Sequence, residues 1–247
     1  MTVRIRTLLF RLGLVLLALM PAATARAEPI YVAAAAMPVL LEAENRGIVA
    51  RVARQIGREA GMDIQFRLYP PEDVPVVFQE GRADAMLTRS TRDLGYAHAP
   101  IRAFFTSRIY AFRLEGSSRI YRIYHLRGKR VGMTKGYSYD PDFMAQLRKV
   151  KVKVLANGSD VVGFKMLARD QIFAFLAEEY AARAALGVSD AQGIIHDSRA
   201  PLWKKPMSLL FPRDDVGKAR AKRFDRAYMQ LRSDGRYERM LAAGAEG

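Results

Sequence analysis

Two β-α-β runs constrain this chain more than any other feature. Ile30 to Ala34 reads as a short buried strand, followed by a loop with Pro38, Glu42 and Glu44. Gly47 opens a helix in which Ile48, Val52, Ile56 and Ala60 recur every four residues. Val49 and Ala53 lie beside them, so one helix face is apolar. Gly61 is the expected C-terminal stop. Ile64, Phe66 and Leu68 alternate with polar residues and predict a strand that Tyr69-Pro70-Pro71 ends. Val74 to Gln79 predicts a short helix stopped by Gly81, and Asp84 to Leu87 a third strand. The order β-α-β-α-β predicts a parallel sheet covered by helices.

Arg108 to Leu114 reads as an extended connector, closed by the loop Glu115-Gly116-Ser117-Ser118. The pattern then starts again. Arg130 to Met133 predicts a strand, and Pro141 to Arg148 a helix with proline in its first turn. Val150 to Leu155 predicts a strand, Asp160 to Ala168 a helix and Ile172 to Leu176 a strand. Glu179 to Leu186 predicts another helix, and Gly193-Ile194-Ile195 a short strand. Within Arg148 to Lys153 the alternation of lysine and valine predicts a strand with one solvated, charged face. Met207 to Phe211 is again extended. Phe224, Ala227, Tyr228 and Leu231 form one face of a tail helix, broken at Ser233-Asp234-Gly235 and continued from Tyr237 to Ala242. Two α/β units joined by two extended connectors imply a discontinuous first lobe whose last piece is the tail. Ligands of open α/β sheets bind beyond the carboxyl ends of strands, and two facing lobes make a cleft that a hinge can close.

The first 27 residues read as a secretory signal peptide. Arg4 and Arg6 give the basic start, Leu12 to Met20 the apolar stretch, and Ala25-Arg26-Ala27 the small-x-small cleavage pattern. A spanning helix needs about 20 apolar residues, and Arg11 interrupts this run. Export removes Arg4, Arg6, Arg11 and Arg26 and lowers the formal charge from +15 to +11. The chain has no cysteine, which excludes disulfides, cysteine-ligated zinc, iron–sulfur clusters, thiol catalysis and a lipid anchor on a cysteine. Three scattered histidines, His98, His125 and His196, argue against a histidine-rich metal site. No cofactor is expected. The basic residues form no stripe interleaved with stacking aromatics, so no nucleic-acid partner is expected.

Five segments in order resemble the family 3 extracellular solute-binding proteins, the periplasmic type that binds polar amino acids. They are Gly47-Ile48-Val49, Gln79 to Ala85, Leu126-Arg127-Gly128-Lys129-Arg130-Val131-Gly132, Met166-Leu167 through Glu178-Glu179-Tyr180, and Phe224 to Leu231 with Asp234-Gly235-Arg236-Tyr237. The Leu126 to Gly132 piece is the most specific. The resemblance covers nearly all of residues 28–247. It implies a two-lobed Venus-flytrap fold of the type II periplasmic-binding class, each lobe a sheet flanked by helices. The first lobe comprises residues 28–112 with 206–247, and the second 113–205. A monomer would capture a small polar, amino-acid-like carboxylate and deliver it to an ABC importer in the inner membrane.

The resemblance also implies a site. A first-lobe arginine in the loop Thr88-Arg89-Ser90-Thr91-Arg92 grips the ligand carboxylate. Arg92 is the best match and Arg89 the substitute, with Thr88 and Ser90 adding hydroxyl donors. A guanidinium presents a planar fork that suits this task. Gly136, Tyr137 and Ser138 form the second-lobe loop, whose backbone N–H groups at a helix start make an anion seat. Glu178 falls where the family places an acid for the ligand ammonium. Tyr69 and Met37 follow first-lobe strands and reach the cleft or pack in the core. Two other readings stand beside transport: a periplasmic sensory or accessory protein without a permease, and a dehydratase-like enzyme with Glu178 as general acid. The second has little to support it, because no nucleophile–base pair or metal-ligand spacing is present.

Overall fold

The computed structural model describes residues 27–89, 97–98, 102–137 and 139–243. Strand β1 (Glu28–Ala34) lies between β2 (Met62–Leu68) and β3 (Ala85–Thr88), parallel to both. Helix α1 (Ile48–Glu59) crosses from β1 to β2, and α2 (Asp73–Gln79) from β2 to β3. The four-residue recurrence works as expected: Ile48, Val49, Val52, Ala53 and Ile56 are all buried.

A second parallel set is built from β6 (Arg130–Thr134), flanked by β7 (Lys153–Asn157) and β8 (Ala174–Glu178). Helices α3 (Pro141–Lys149), α4 (Asp160–Ala168) and α5 (Glu179–Gly187) accompany it. Two ten-residue strands join the sets: β5 (Phe105–Leu114) and β10 (Trp203–Pro212). They run antiparallel, with Trp203 opposite Ile109 and Met207 opposite Phe105. Beyond that pair, β10 continues against β3 and β5 against β8, so the path is β2-β1-β3-β10-β5-β8-β6-β7. Two-residue strands β4 (Ala97–His98) and β9 (Ile194–Ile195) pair with the outer ends of β10 and β5.

The segment expected as a connector is thus a strand at the centre of the sheet. Its residues serve different cores. Phe105 packs with Ile30, Val32, Met207 and Phe224; Ile109 and Ala111 with Val131, Phe143 and Leu176; Tyr110 and Phe112 with Phe164 and Phe175 on the opposite face. The alternation is what a strand buried on both faces requires.

The tail helices α6 (Asp215–Ser233) and α7 (Arg236–Ala243) pack on the first set. Phe224 meets Phe104 edge to face at 5.7 Å, and the buried Tyr237 hydroxyl donates to the Phe104 carbonyl at 2.7 Å. Arg220 bridges Glu28 at 2.6 Å and Asp84 at 3.3 Å. Those two carboxylates belong to the start of β1 and the approach to β3, so one guanidinium spans three chain segments.

Two expectations need correction. The Lys-Val-Lys alternation does not form one strand: Lys151 turns the chain at φ +57°, and β7 begins only at Lys153. Residues Lys153 to Ala156 are all exposed, and among the described residues β7 pairs with β6 alone. The strand expected at Ile172 to Leu176 begins two residues later and ends on Glu178, which carries that carboxylate to the strand's carboxyl end.

Gly163 in α4 shows packing overriding helix propensity. A Cβ there would come within 2.3 Å of the Phe175 ring, which is fully buried. Gly→Ala in a helix interior ordinarily stabilises by about 1 kcal/mol. Here overpacking, at about 1–3 kcal/mol, reverses the sign. Gly163→Ala is expected to lower the urea midpoint without changing the slope; a raised midpoint would show that the ring moves aside freely.

Candidate functional site

The carboxyl ends of β1, β6 and β8 open on one cleft, which encloses about 720 Å³ and is crossed by β5 and β10. Residues from both parallel sets and from the two joining strands reach it. Met37 and Leu40 come from the loop after β1, Arg89 from the end of β3, Ser107 and Ile109 from β5, Gly136, Tyr137, Tyr139 and Asp140 from the segment after β6, Glu178 from β8, and Trp203 and Lys205 from β10.

Glu178 sits at the junction of β8 and α5 and is 9% exposed. One carboxylate oxygen caps the helix, accepting from the N–H groups of Tyr180 at 2.8 Å and Ala181 at 3.2 Å. The other accepts from the Ser107 hydroxyl at 3.4 Å. Burial pushes its pKa up to about 7, and these N–H groups only partly hold it down.

Arg89 supplies positive charge. Burial pulls its pKa below the usual arginine value, while the Asp140 carboxylate pushes the other way. An arginine so placed stays protonated. Lys205 and Asp140 form an ion pair at 2.5 Å. Burial pushes Asp140 up, but the Lys205 ammonium and the Asp142 N–H together hold it below the ordinary carboxylate range.

Tyr137 is fixed by its hydroxyl, which donates to Asp160 at 3.1 Å; the Thr134 hydroxyl donates to the other oxygen of the same carboxylate. Burial pushes Asp160 up, against the pull of those two hydroxyls. Tyr139 accepts from the Thr134 N–H at 3.1 Å. The Tyr137 and Tyr139 rings lie 6.2 Å apart, so this wall of the cleft is aromatic and braced from behind.

Of the expected site residues, the structure brings Gly136, Tyr137, Glu178, Met37 and the substitute Arg89 to one cleft. Arg92, Ser90 and Ser138 lie outside the described residues. Thr88 ends β3, opposite Ser208 of β10, and does not line the cleft. Nor does Tyr69, which packs against the core of Ala33, Val77, Phe78 and Met86. The expected seat of helix N–H groups is also modified. Helix α3 starts at Pro141, which has no N–H, and its cap is the Asp140 carboxylate, accepting from Asp142 at 2.9 Å. An acid therefore stands where an anion was expected to sit.

Asp140, Lys205, Ser107 and Trp203 were not foreseen as cleft residues. The Asp140-Pro141 pair is legible as a helix start, but only the crossing of β10 brings Lys205 against it. Among the described residues no group of His, Asp and Glu has the spacing to hold a metal ion, and no helix is long and apolar enough to cross a membrane.

No protein-family profile matches the chain, and no curated protein does. Likeness emerges in the structure. An ancestral cationic amino acid solute-binding protein superposes with a TM-score of 0.64 at 13% identity, covering 89% of this chain and 96% of that one. The second substrate-binding domain of GlnP from Lactococcus lactis, in an open conformation, gives 0.62 at 15% identity over 92% and 99%. A histidine kinase sensor domain with similarity to periplasmic binding proteins gives 0.59 at 16% over 88% and 96%. The fold is that of a type II periplasmic binding protein. Identities this low carry the fold alone. Within this periplasmic-binding fold, the cleft described above lies where the two long strands pass between the two parallel sets.

The raised pKa of Glu178 has a consequence for stability. Between its ordinary value of 4.5 and about 7, the folded chain keeps a proton that the unfolded chain releases. Stability from this group is therefore full below pH 4.5 and declines as pH rises to about 7, by a total of roughly 3 kcal/mol. Urea unfolding at pH 5 and pH 7.5 is expected to show that decline in the native protein but not in Glu178→Gln. Equal pH dependence in the two would mean that Glu178 is solvated.

Proposed function

We propose that this protein is a periplasmic substrate-binding protein that closes on a small amino-acid-like carboxylate and presents it to an ABC importer. The observation that carries this reading is that one cleft holds a half-buried guanidinium and a buried carboxyl group: Arg89 from the first parallel set and Glu178 from the second. Arg89 receives the carboxylate through two charge-assisted hydrogen bonds. Glu178 receives the ammonium on the oxygen that faces Ser107. Apolar Met37, Leu40, Ile109 and Trp203 suit an uncharged side group between them. Gly136 and Tyr137 form one wall. Arg92, Ser90 and Ser138 complete the proposed set by family resemblance, with Arg92 the rival to Arg89.

The same proposal includes export through the leader at residues 1–27, a periplasmic location and a monomeric protein. It also includes a division into lobes at residues 28–112 with 206–247, and 113–205. The change of core along β5, from Phe105 to Ile109, supports a hinge within that strand. Neighbours of this fold are binding proteins, and no enzymatic step is proposed. A second reading, a sensory component that signals through the closed lobes, is favoured by the kinase sensor domain among the neighbours. Crosslinking in intact cells separates the two: a permease partner supports transport and a kinase partner sensing.

Trp203 is the only tryptophan and lines the cleft, so its fluorescence reports occupancy. Titration with a panel of amino and organic acids is expected to give a saturable change. Arg89→Ala is expected to weaken binding at least tenfold, in line with about 1.5–3 kcal/mol for a charge-assisted contact. Loss in Arg92→Ala with none in Arg89→Ala would reassign the carboxylate partner. A bound ammonium favours ionised Glu178, so affinity for an amino acid should fall as pH drops below about 7. Affinity independent of pH would exclude Glu178 from the contact.

A further inference from the structure

A second cavity lies behind β5. Ser107 and Ile109 line the cleft, whereas Thr106 and Arg108 line this one, as the alternation of side chains along a strand allows, and Phe105 at the start of the strand also reaches it. Its other wall comes from the tail: Tyr228 and Arg232 of α6, and Tyr237 and Glu238 of α7. It encloses about 660 Å³.

Two guanidiniums border this space, and neither is closely satisfied by its carboxylate. Arg232 stands 3.5 Å from Glu238, and Arg108 stands 3.6 Å from Glu179. Elsewhere the chain closes such pairs to 2.6 Å (Arg220 with Glu28) and 2.7 Å (Arg119 with Asp197). The side chains of Arg108 and Arg232 keep 37% and 51% exposure, so both are reachable from solvent. The Arg232 guanidinium carbon lies 5.9 Å from the centroids of both the Tyr228 and Tyr237 rings, which meet edge to face at 5.2 Å. Guanidinium forks match a carboxylate, and tyrosine faces and edges match a flat aromatic body.

We infer that this rear cavity is a second ligand site, distinct from the cleft, which takes a small planar aromatic carboxylate between Arg108 and Arg232. Its position gives it a route to the cleft. Arg108 follows Ser107, whose hydroxyl reaches Glu178, and Glu179, the partner of Arg108, follows Glu178. An anion that draws Arg108 away from Glu179 acts on the same strand–helix junction that holds the cleft carboxylate. That coupling rests on the cleft reading proposed above; occupancy of the rear cavity does not.

Calorimetric titration of the purified protein with sodium benzoate, at constant ionic strength, tests the site. Saturable binding is expected at millimolar concentrations. Arg108→Ala and Arg232→Ala should each weaken it at least tenfold, and Arg89→Ala in the cleft should leave it within twofold. Arg232 lies on a solvated helix face, so its variant decides the matter if Arg108→Ala fails to fold. Absence of benzoate binding overturns the inference. So does binding that survives Arg232→Ala or is lost in Arg89→Ala, since the probe would then be in the cleft. Failure of the cleft reading looks different: Trp203 fluorescence stays silent to the acid panel while benzoate still binds.

Discussion

The antiparallel pairing of β5 with β10 is the constraint on which the rest of this molecule depends. Among the described residues, these are the two strands that bridge the two parallel sets, and they do so side by side, from Phe105–Met207 to Ile109–Trp203. Their hydrogen bonds bring Ser107, Ile109, Trp203 and Lys205 to the base of the cleft, and through register they fix Glu178 opposite Ile109. A one-residue slip would turn Ser107 and Ile109 away and bring Arg108 in, since strand side chains alternate between faces. Which side chains line the cleft is thus a matter of register in a single strand pair.

Glu178 shows how one carboxylate is given two tasks. As a helix cap it must offer an oxygen to backbone N–H groups, which favours the ionised form. As a buried cleft residue it sits where ionisation is penalised. The two influences leave its pKa raised to about 7. Asp140 resolves the same conflict in the other direction: it also caps a helix, but an ammonium beside it holds it ionised. Two capping acids in one cleft are therefore shifted in opposite directions: burial dominates at Glu178, while Lys205 and backbone N–H groups outweigh it at Asp140.

The elements were legible in the sequence because their patterns are strongly periodic. The row from Ile48 to Ala60, Pro141 at a helix start and the break at Asp234-Gly235 all act locally. The centre of the sheet was not legible. Arg108 to Leu114 is extended in either reading, and only the partner strands, about 65 to 95 residues away, decide that it is a strand. The Lys-Val-Lys alternation misled for a related reason: alternation predicts a buried face only where another layer covers it, and Lys153 to Ala156 are exposed on both faces. At the site, Gly136, Tyr137 and Glu178 could be found by resemblance, since they follow strand ends. Tyr69 follows a strand end too, yet packs inward. Lys205 and Asp140 escaped notice because their pairing joins segments 65 residues apart, and nothing local marks either as a cleft residue.

The docking of the tail has a bearing on how the protein is made. The core around β1 is completed by Met207, Phe224 and Tyr237, with Arg220 fastening β1 and β3 from outside. Those residues lie far along the chain from β1. Helix α1 covers part of Ile30, Val32 and Phe66, but this core is not closed until β10, α6 and α7 have docked. Long-range closure of this kind slows folding and prolongs the exposure of apolar surface. The cores around β6 and β8 contain no residue from α6 or α7, so the second parallel set can pack before the tail docks while the first must wait for it.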